Sequence, residues 1–355
     1  MALSKIQSNS YEDTAVHGQR NLIINGAMQV FQRATSATNP GGGYDTVDRF
    51  RSSQNNSGLG NYNAEQSTDA PSGFASSYKL TKSGVTSQTS TTSAFIQYFF
   101  EGQDVQQLQY GSSSAKKVTL SFYVKSSLTG TWGVALQDGE AGKHNVQTYT
   151  ISSANTWEYK TITFDGDTAA SIANDNSAEL DVQFVLGAGS DYQTATTGSW
   201  QSGDKKTTSS QTQWPETDGA TWQITGVQLE LGETATTFEH RSYADEFARC
   251  QRYFERIQTD GAGTPIGYCS VRTGSWYGGV PFLIEKRSAP SVTLNGSLFL
   301  AGIYGDISSQ TPTGINEISK RGCRPYKTSG SYTAQGSFIA FQTPASHYID
   351  ADAEL

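Results

Sequence analysis

Six tryptophans and 18 tyrosines give this chain an unusual supply of flat ring faces. A sugar offers apolar C–H faces that stack on indole and phenol rings, while its hydroxyls seek Asn, Asp, Gln and Arg. Trp132, His144, Tyr192, Trp200, Trp214, Trp276 and Tyr277 are the candidates for such contacts, each also open to a plainer role as core residue or loop anchor. In "FDGDTA" Asp165 and Asp167 are spaced for glycoside chemistry or for a structural calcium ion, against the plain reading of two solvated acids in a turn. Asp45, Asp48 and Arg49 of "YDTVDRF" fit either a sugar-hydroxyl clamp or an Asp–Arg pair tying a loop to a sheet.

Catalytic signatures are missing. The sequence has no H-E-x-x-H, G-x-S-x-G or G-x-x-x-x-G-K-[ST], and His17, His144, His240 and His347 have no ligand spacing. "DGAGTP" and "GGG" do not lead from a strand into a helix, as a phosphate cradle requires. The expectation is a protein that binds rather than catalyses and needs no cofactor.

The 355 residues carry a formal net charge of −8. That balance disfavours nucleic acid and anionic membranes as partners, since both select basic patches. No apolar run is long enough to cross a bilayer, and "MALSKIQSNSYEDTAVHGQR" lacks the apolar middle of a secretory signal, so the chain is expected to be soluble where it is made. Cys250, Cys269 and Cys323 are odd in number and widely spaced, which points to buried free thiols rather than disulfides or zinc.

The elements that must position the rings are strands. "AFIQYFFEG", "KVTLSFYVKS", "GTWGVALQD", "NVQTYTIS", "WEYKTITFDGD", "AELDVQFVLGAG" and "ATWQITGVQLELG" recur between turn clusters, after an opening strand in "NLIINGAMQVFQR" with a turn or bulge at Asn25–Gly26. In the second of these Val118, Leu120, Phe122 and Val124 share one face, as in a sheet packed on a core. In "WEYKTITF" Trp157, Tyr159, Thr161 and Thr163 oppose Ile162 and Phe164. About eight such strands predict a two-sheet antiparallel sandwich, in jelly-roll form. Two polar stretches, "SSQNNSGLGNYNAEQSTDAPSGFASS" and "GAGSDYQTATTGSWQSGDKKTTSSQTQWPETDGA", read as long loops.

One stretch breaks the strand rhythm. "RSYADEFARCQRYFER" has apolar residues at Tyr243, Phe247, Cys250, Phe254 and Ile257, stepping by four, three, four and three, and so predicts a helix over 241–258. That seam either packs on its own sandwich or meets two copies of itself on a three-fold axis. The organisation expected is all-β: a polar N-terminal arm (1–20), a jelly-roll sandwich (21–240), a linking helix (241–258) and a smaller β-sandwich-like C-terminal knob (259–355).

"NLIINGAMQVFQRATS", "YDTVDRFR", "NTWEYKTITFDGDT", "GSWQSG", "ATWQITGVQLELGETATTFEHRSYADEFARCQRYFER" and the final "DAEL" together resemble a family of bacteriophage tail-fibre and receptor-binding proteins. The resemblance implies a homotrimer in the virion, made in the host cytoplasm. Its N-terminal arm would dock on a tail or other virion protein, and a carbohydrate-binding-module-like jelly roll and distal knob would follow. Attachment to host surface polysaccharide is the function it implies. A structural virion component that binds no host, and a polysaccharide-cleaving tailspike, are the other two readings.

Overall fold

The structure, a computed structural model, describes residues 20–139, 142–258, 266–301, 307–330, 338–342 and 347–355. All of the expected arm except Arg20 lies outside them. The chain divides into two compact units, Met1–Tyr243 and Ala244–Leu355.

Alternation of apolar and polar residues builds the first unit. One six-stranded sheet has the order β1 (Ser36–Thr38), β3 (Tyr62–Ser67), β4 (Ser77–Lys82), β12 (Thr221–Leu231), β6 (Val118–Ser126), β9 (Glu158–Phe164). The other has the order β11 (Trp200–Ser202), β8 (Lys143–Ile151), β7 (Gly130–Asp138), β10 (Ala178–Ala188), β5 (Ser93–Glu101), β2 (Arg51–Asn55). Their strand pairings are antiparallel. Val118, Leu120, Phe122 and Val124 are fully buried as their parity predicts, and join Ile96, Tyr98, Val182, Phe184, Trp222 and Leu229 in one core. The result is a jelly-roll-type β-sandwich, with one strand-rich face of each sheet turned away from that core.

Two expectations about this unit need correction. "NLIINGAMQVFQR" forms no strand; it is a turn held by side chains. Asn25 adopts φ 60° and its amide donates to the Val30 and Asp48 carbonyls while its Oδ1 accepts from the Gln29 and Val30 amides. Those bonds replace a ladder, so a short Asx side chain overrides the apolar run. The first supposed loop, in turn, contains most of β2 and all of β3. Arg49 of "YDTVDRF" is buried and donates to the Phe99 carbonyl at 2.8 Å, which ties this loop to β5, while Asp48 lies 3.8 Å from Arg33.

α1 (Tyr243–Gln251) begins at the last residue of the first unit and opens the second; it has nine residues rather than the eighteen expected for 241–258. The chain then turns into β13 (Phe254–Ile257), which pairs with β22 (Tyr348–Asp352), itself flanked by β16 (Ser291–Asn295). The proposed seam is therefore not one helical face. Tyr243 is exposed, Phe247 half-buried and Cys250 buried on or beside the helix, while Phe254 and Ile257 belong to the strand. Cross-strand partners decide the switch: Arg256 makes a two-pronged ion pair with Asp350 at 2.8 and 2.7 Å and lies over the Tyr348 ring.

A seven-stranded sheet completes the unit, in the order β18 (Ile307–Gln310), β17 (Leu298–Ala301), β21 (Phe338–Gln342), β14 (Gly267–Arg272), β15 (Ser275–Pro281), β20 (Gly322–Lys327), β19 (Gly314–Ser319). Trp276, Val280, Leu298 and Ile349 lie in its small core. All three cysteines are buried free thiols, and burial pushes that of Cys323 up to about 12.

Candidate functional site

The long polar stretch after β10 folds back over the second sheet and contributes β11 as its edge. Trp200, Gln201 and Ser202 pair with Asn145, His144 and Lys143. Alternation sends Trp200 and Ser202 to one side of that edge and Gln201 to the other.

On the Trp200 side the edge meets the turn that follows β9. The indole Nε1 donates to the Asp165 carbonyl at 2.7 Å, and the Tyr110 ring meets the indole edge-on at 5.9 Å. Asp167 accepts from the Ala169 amide at 2.9 Å, while Lys143 lies 3.5 Å from its other oxygen and donates to the Ala169 carbonyl. These groups enclose an open cleft of about 370 Å³, lined by Lys143, Asp165–Ala169 and Ser199–Ser202. Lys117 bridges Asp165 (3.3 Å) and Glu233 (3.1 Å) at the rim, and those carboxylates hold its ammonium above the usual lysine range. Burial, helped by Asp167 and Asp165, raises the Tyr110 phenol well above its ordinary value, and its hydroxyl has no hydrogen-bond partner among the described residues.

The Gln201 side carries a polar layer. His144 faces Asp204 at 3.4 Å; Asp204 also pairs with Lys206, whose ammonium donates to Gln183 Oε1 and lies over the Phe95 and Tyr192 rings. Gln183 Nε2 donates to Gln137 and to Asp181. Burial dominates both titratable ends of this layer. It lifts the Asp181 carboxyl to about 7 and, with Lys206 nearby, lowers the His144 imidazole to about 4.

Of the seven ring candidates, the structure brings His144, Tyr192 and Trp200 together around this one loop. Trp200 and Tyr192 keep part of their surface, but His144 is 1% exposed. Four expectations are corrected: His144 is buried in the polar layer, and the indoles of Trp132, Trp214 and Trp276 are each 0% exposed, the first two in the sandwich core and the third in the core of the second unit. These indoles fill volume between sheets and have no face to offer a ligand. Tyr277 lies apart on the second unit, half-buried, stacked on Tyr326 at 6.4 Å with Arg324 over it.

Sequence reading missed Lys143, which lines the cleft, and Tyr110, which packs against the Trp200 ring; both come from other parts of the chain and carry no local pattern. It also missed the polar layer, although a signal was present. In "AELDVQFV" Glu179, Asp181 and Gln183 alternate with Leu180, Val182 and Phe184, so the outward parity is acid and amide. Asp165 and Asp167 are set against lysines, and no group of three His, Cys, Asp or Glu residues able to hold a metal occurs among the described residues.

No protein-family model matches the chain, and no curated protein matches it. Solved structures overlap it loosely. The N-terminal cellulose-binding domain of Cellulomonas fimi β-1,4-glucanase C gives 11% identity over 58% of this chain and 100% of its own, with a TM-score of 0.28. The family 11 carbohydrate-binding module of Clostridium thermocellum Lic26A-Cel5E gives 12% identity over 62% and 97%, TM-score 0.26. A further module, TmCBM61 in complex with β-1,4-galactotriose, gives 7% over 60% and 99%, TM-score 0.28. At these scores the overlap bears no weight on function, and the sandwich is identified by its own strand order.

Proposed function

We propose that this chain is a non-enzymatic bacteriophage adhesin, a homotrimeric tail fibre or similar external appendage, whose first unit binds host surface polysaccharide. The observation that carries the binding reading is the Trp200 cleft. An indole fixed through its N–H to the Asp165 carbonyl stands at a concavity that also offers a carboxylate, an ammonium and hydroxyls. That combination suits a sugar ring, with an apolar face to stack and hydroxyls to bond. The virion setting, the three-fold assembly and docking through the N-terminal arm rest on the resemblance described above.

The test is binding of the purified full-length chain to host cells and extracted surface glycan, alongside Trp200→Ala. Saturable binding by the wild type, weakened in the variant, supports the proposal; wild type and variant binding alike overturns the cleft as the site. Release of reducing ends from the glycan would overturn the non-enzymatic reading.

One observation favours a second reading. Burial of Trp132, His144, Trp214 and Trp276 removes four of the seven ring candidates from any surface, as suits a structural virion component that binds no host. Failure of the wild type to bind any host material would favour it.

A further inference from the structure

The outer face of the first sheet carries an aromatic row. Tyr123 of β6 and Tyr159 of β9 are directly opposed across the ladder, with rings 4.9 Å apart at 45°. Phe74 continues the row, 5.5 Å from Tyr123. At the other end Trp157, the residue before β9, has its ring 5.9 Å from the ammonium of Lys125, which lies two residues after Tyr123 on the same face of β6. Tyr159 is 45% exposed, and the other three rings are half-buried.

This row is held in place by its surroundings. Trp157 Nε1 donates to Asp69 Oδ1 at 3.0 Å, and Lys125 bonds the other oxygen of the same carboxylate at 2.6 Å while lying 5.9 Å from the indole centroid. Under the row, Gly226 occupies the bulge of β12 with φ +62°, where a Cβ would stand 2.7 Å from Phe74 and 3.0 Å from Tyr123. A glycine there lets two rings settle onto the sheet.

We infer that this row is a second glycan contact, taking a neutral polysaccharide chain, so that the inference rests on the glycan-binding reading while placing a site away from the Trp200 cleft. Charge selects the ligand. The cations on this face are paired, Lys125 with Asp69 and Lys79 with Glu65, which leaves an acidic polymer no unbalanced positive field. Rings tilted by 45° fit successive sugars of a twisted soluble chain better than a flat crystalline surface.

The experiment is affinity electrophoresis of the full chain through gels holding a neutral galactan, xylan, mannan or mixed-linkage glucan, or acidic alginate. The wild type is compared with Trp157→Ala/Tyr159→Ala and with Trp200→Ala, with thermal melting as the folding control. The expected result is retardation by a neutral polymer that the row variant weakens about tenfold, roughly 1.4 kcal/mol, with the fold intact. Equal retardation of wild type and row variant, with loss in Trp200→Ala, overturns the row and leaves the cleft. No retardation of the wild type on any gel overturns the row and the glycan reading together. Retardation by alginate alone overturns the neutral ligand, and a change of oligomeric state in the row variant reassigns the face to a second copy of the chain.

Discussion

Replacing Trp200 by Phe keeps an aromatic face at the cleft but removes the N–H that bonds the Asp165 carbonyl. We expect Trp200→Phe to retain most glycan affinity and Trp200→Ala to lose about tenfold or more, since only the second removes the stacking surface; calorimetric titration with extracted host polysaccharide separates the two. The polar layer behind the cleft gives a second prediction at this scale. Asp181 is raised from 3.8 to about 7, so its contribution to stability is full below the unfolded value and is lost as pH rises through 7. His144 is lowered from 6.5 to about 4, so its contribution is full above 6.5 and is lost as pH falls through 4. Between pH 4 and 6.5 the two slopes oppose. Asp181→Asn should therefore melt at higher temperature as pH rises across that window, and His144→Gln at lower temperature as pH rises from 4 to 7. Parallel profiles for the two variants in calorimetry would contradict this account. The choice of His144, Tyr192 and Trp200 came from side-chain type alone. Their meeting depends on a loop returning across a sheet, and no spacing along the chain encodes that return.

The helix that became a strand teaches most about elements. Apolar residues at 243, 247, 250, 254 and 257 satisfy a helical period, yet α1 stops at Gln251 and Phe254–Ile257 pair with β22. Period could not settle so short an apolar run, because the partners that settle it, Asp350 and Lys286, lie far along the chain. Lys286 and Glu255 form an ion pair at 0% and 1% side-chain exposure, and the lysine also donates to the Gln251 and Ile284 carbonyls. Lys286→Met strands a buried carboxylate and should cost about 3–5 kcal/mol, most of it recovered in Lys286→Met/Glu255→Leu; urea midpoints of the second unit measure both. Where alternation continued for a full strand, as in Val118–Val124, the reading of fold and core was sound. It failed where a side chain supplied the turn, as Asn25 does.

For the whole molecule, each unit depends on a strand from late in its own stretch of sequence. In the first sheet β12 lies between β4 and β6, and in the second unit β22 lies between β13 and β16. Deleting residues 348–355 should abolish the thermal transition of the second unit and leave that of the sandwich in place, with one calorimetric peak lost and one kept. Two peaks in the truncated chain would mean that β22 is dispensable.

That arrangement has a consequence for the ribosome. Neither the first sheet nor the three-stranded sheet of the second unit can close until a late segment has left the exit tunnel, so a nascent chain halted between β11 and β12 leaves the first sheet as two half-sheets, β1–β3–β4 and β6–β9, with open edges. Strand order thus sets when the first sheet can close: in a chain that stops short of β12, β4 and β6 each keep an open edge, exposed to chaperones and proteases.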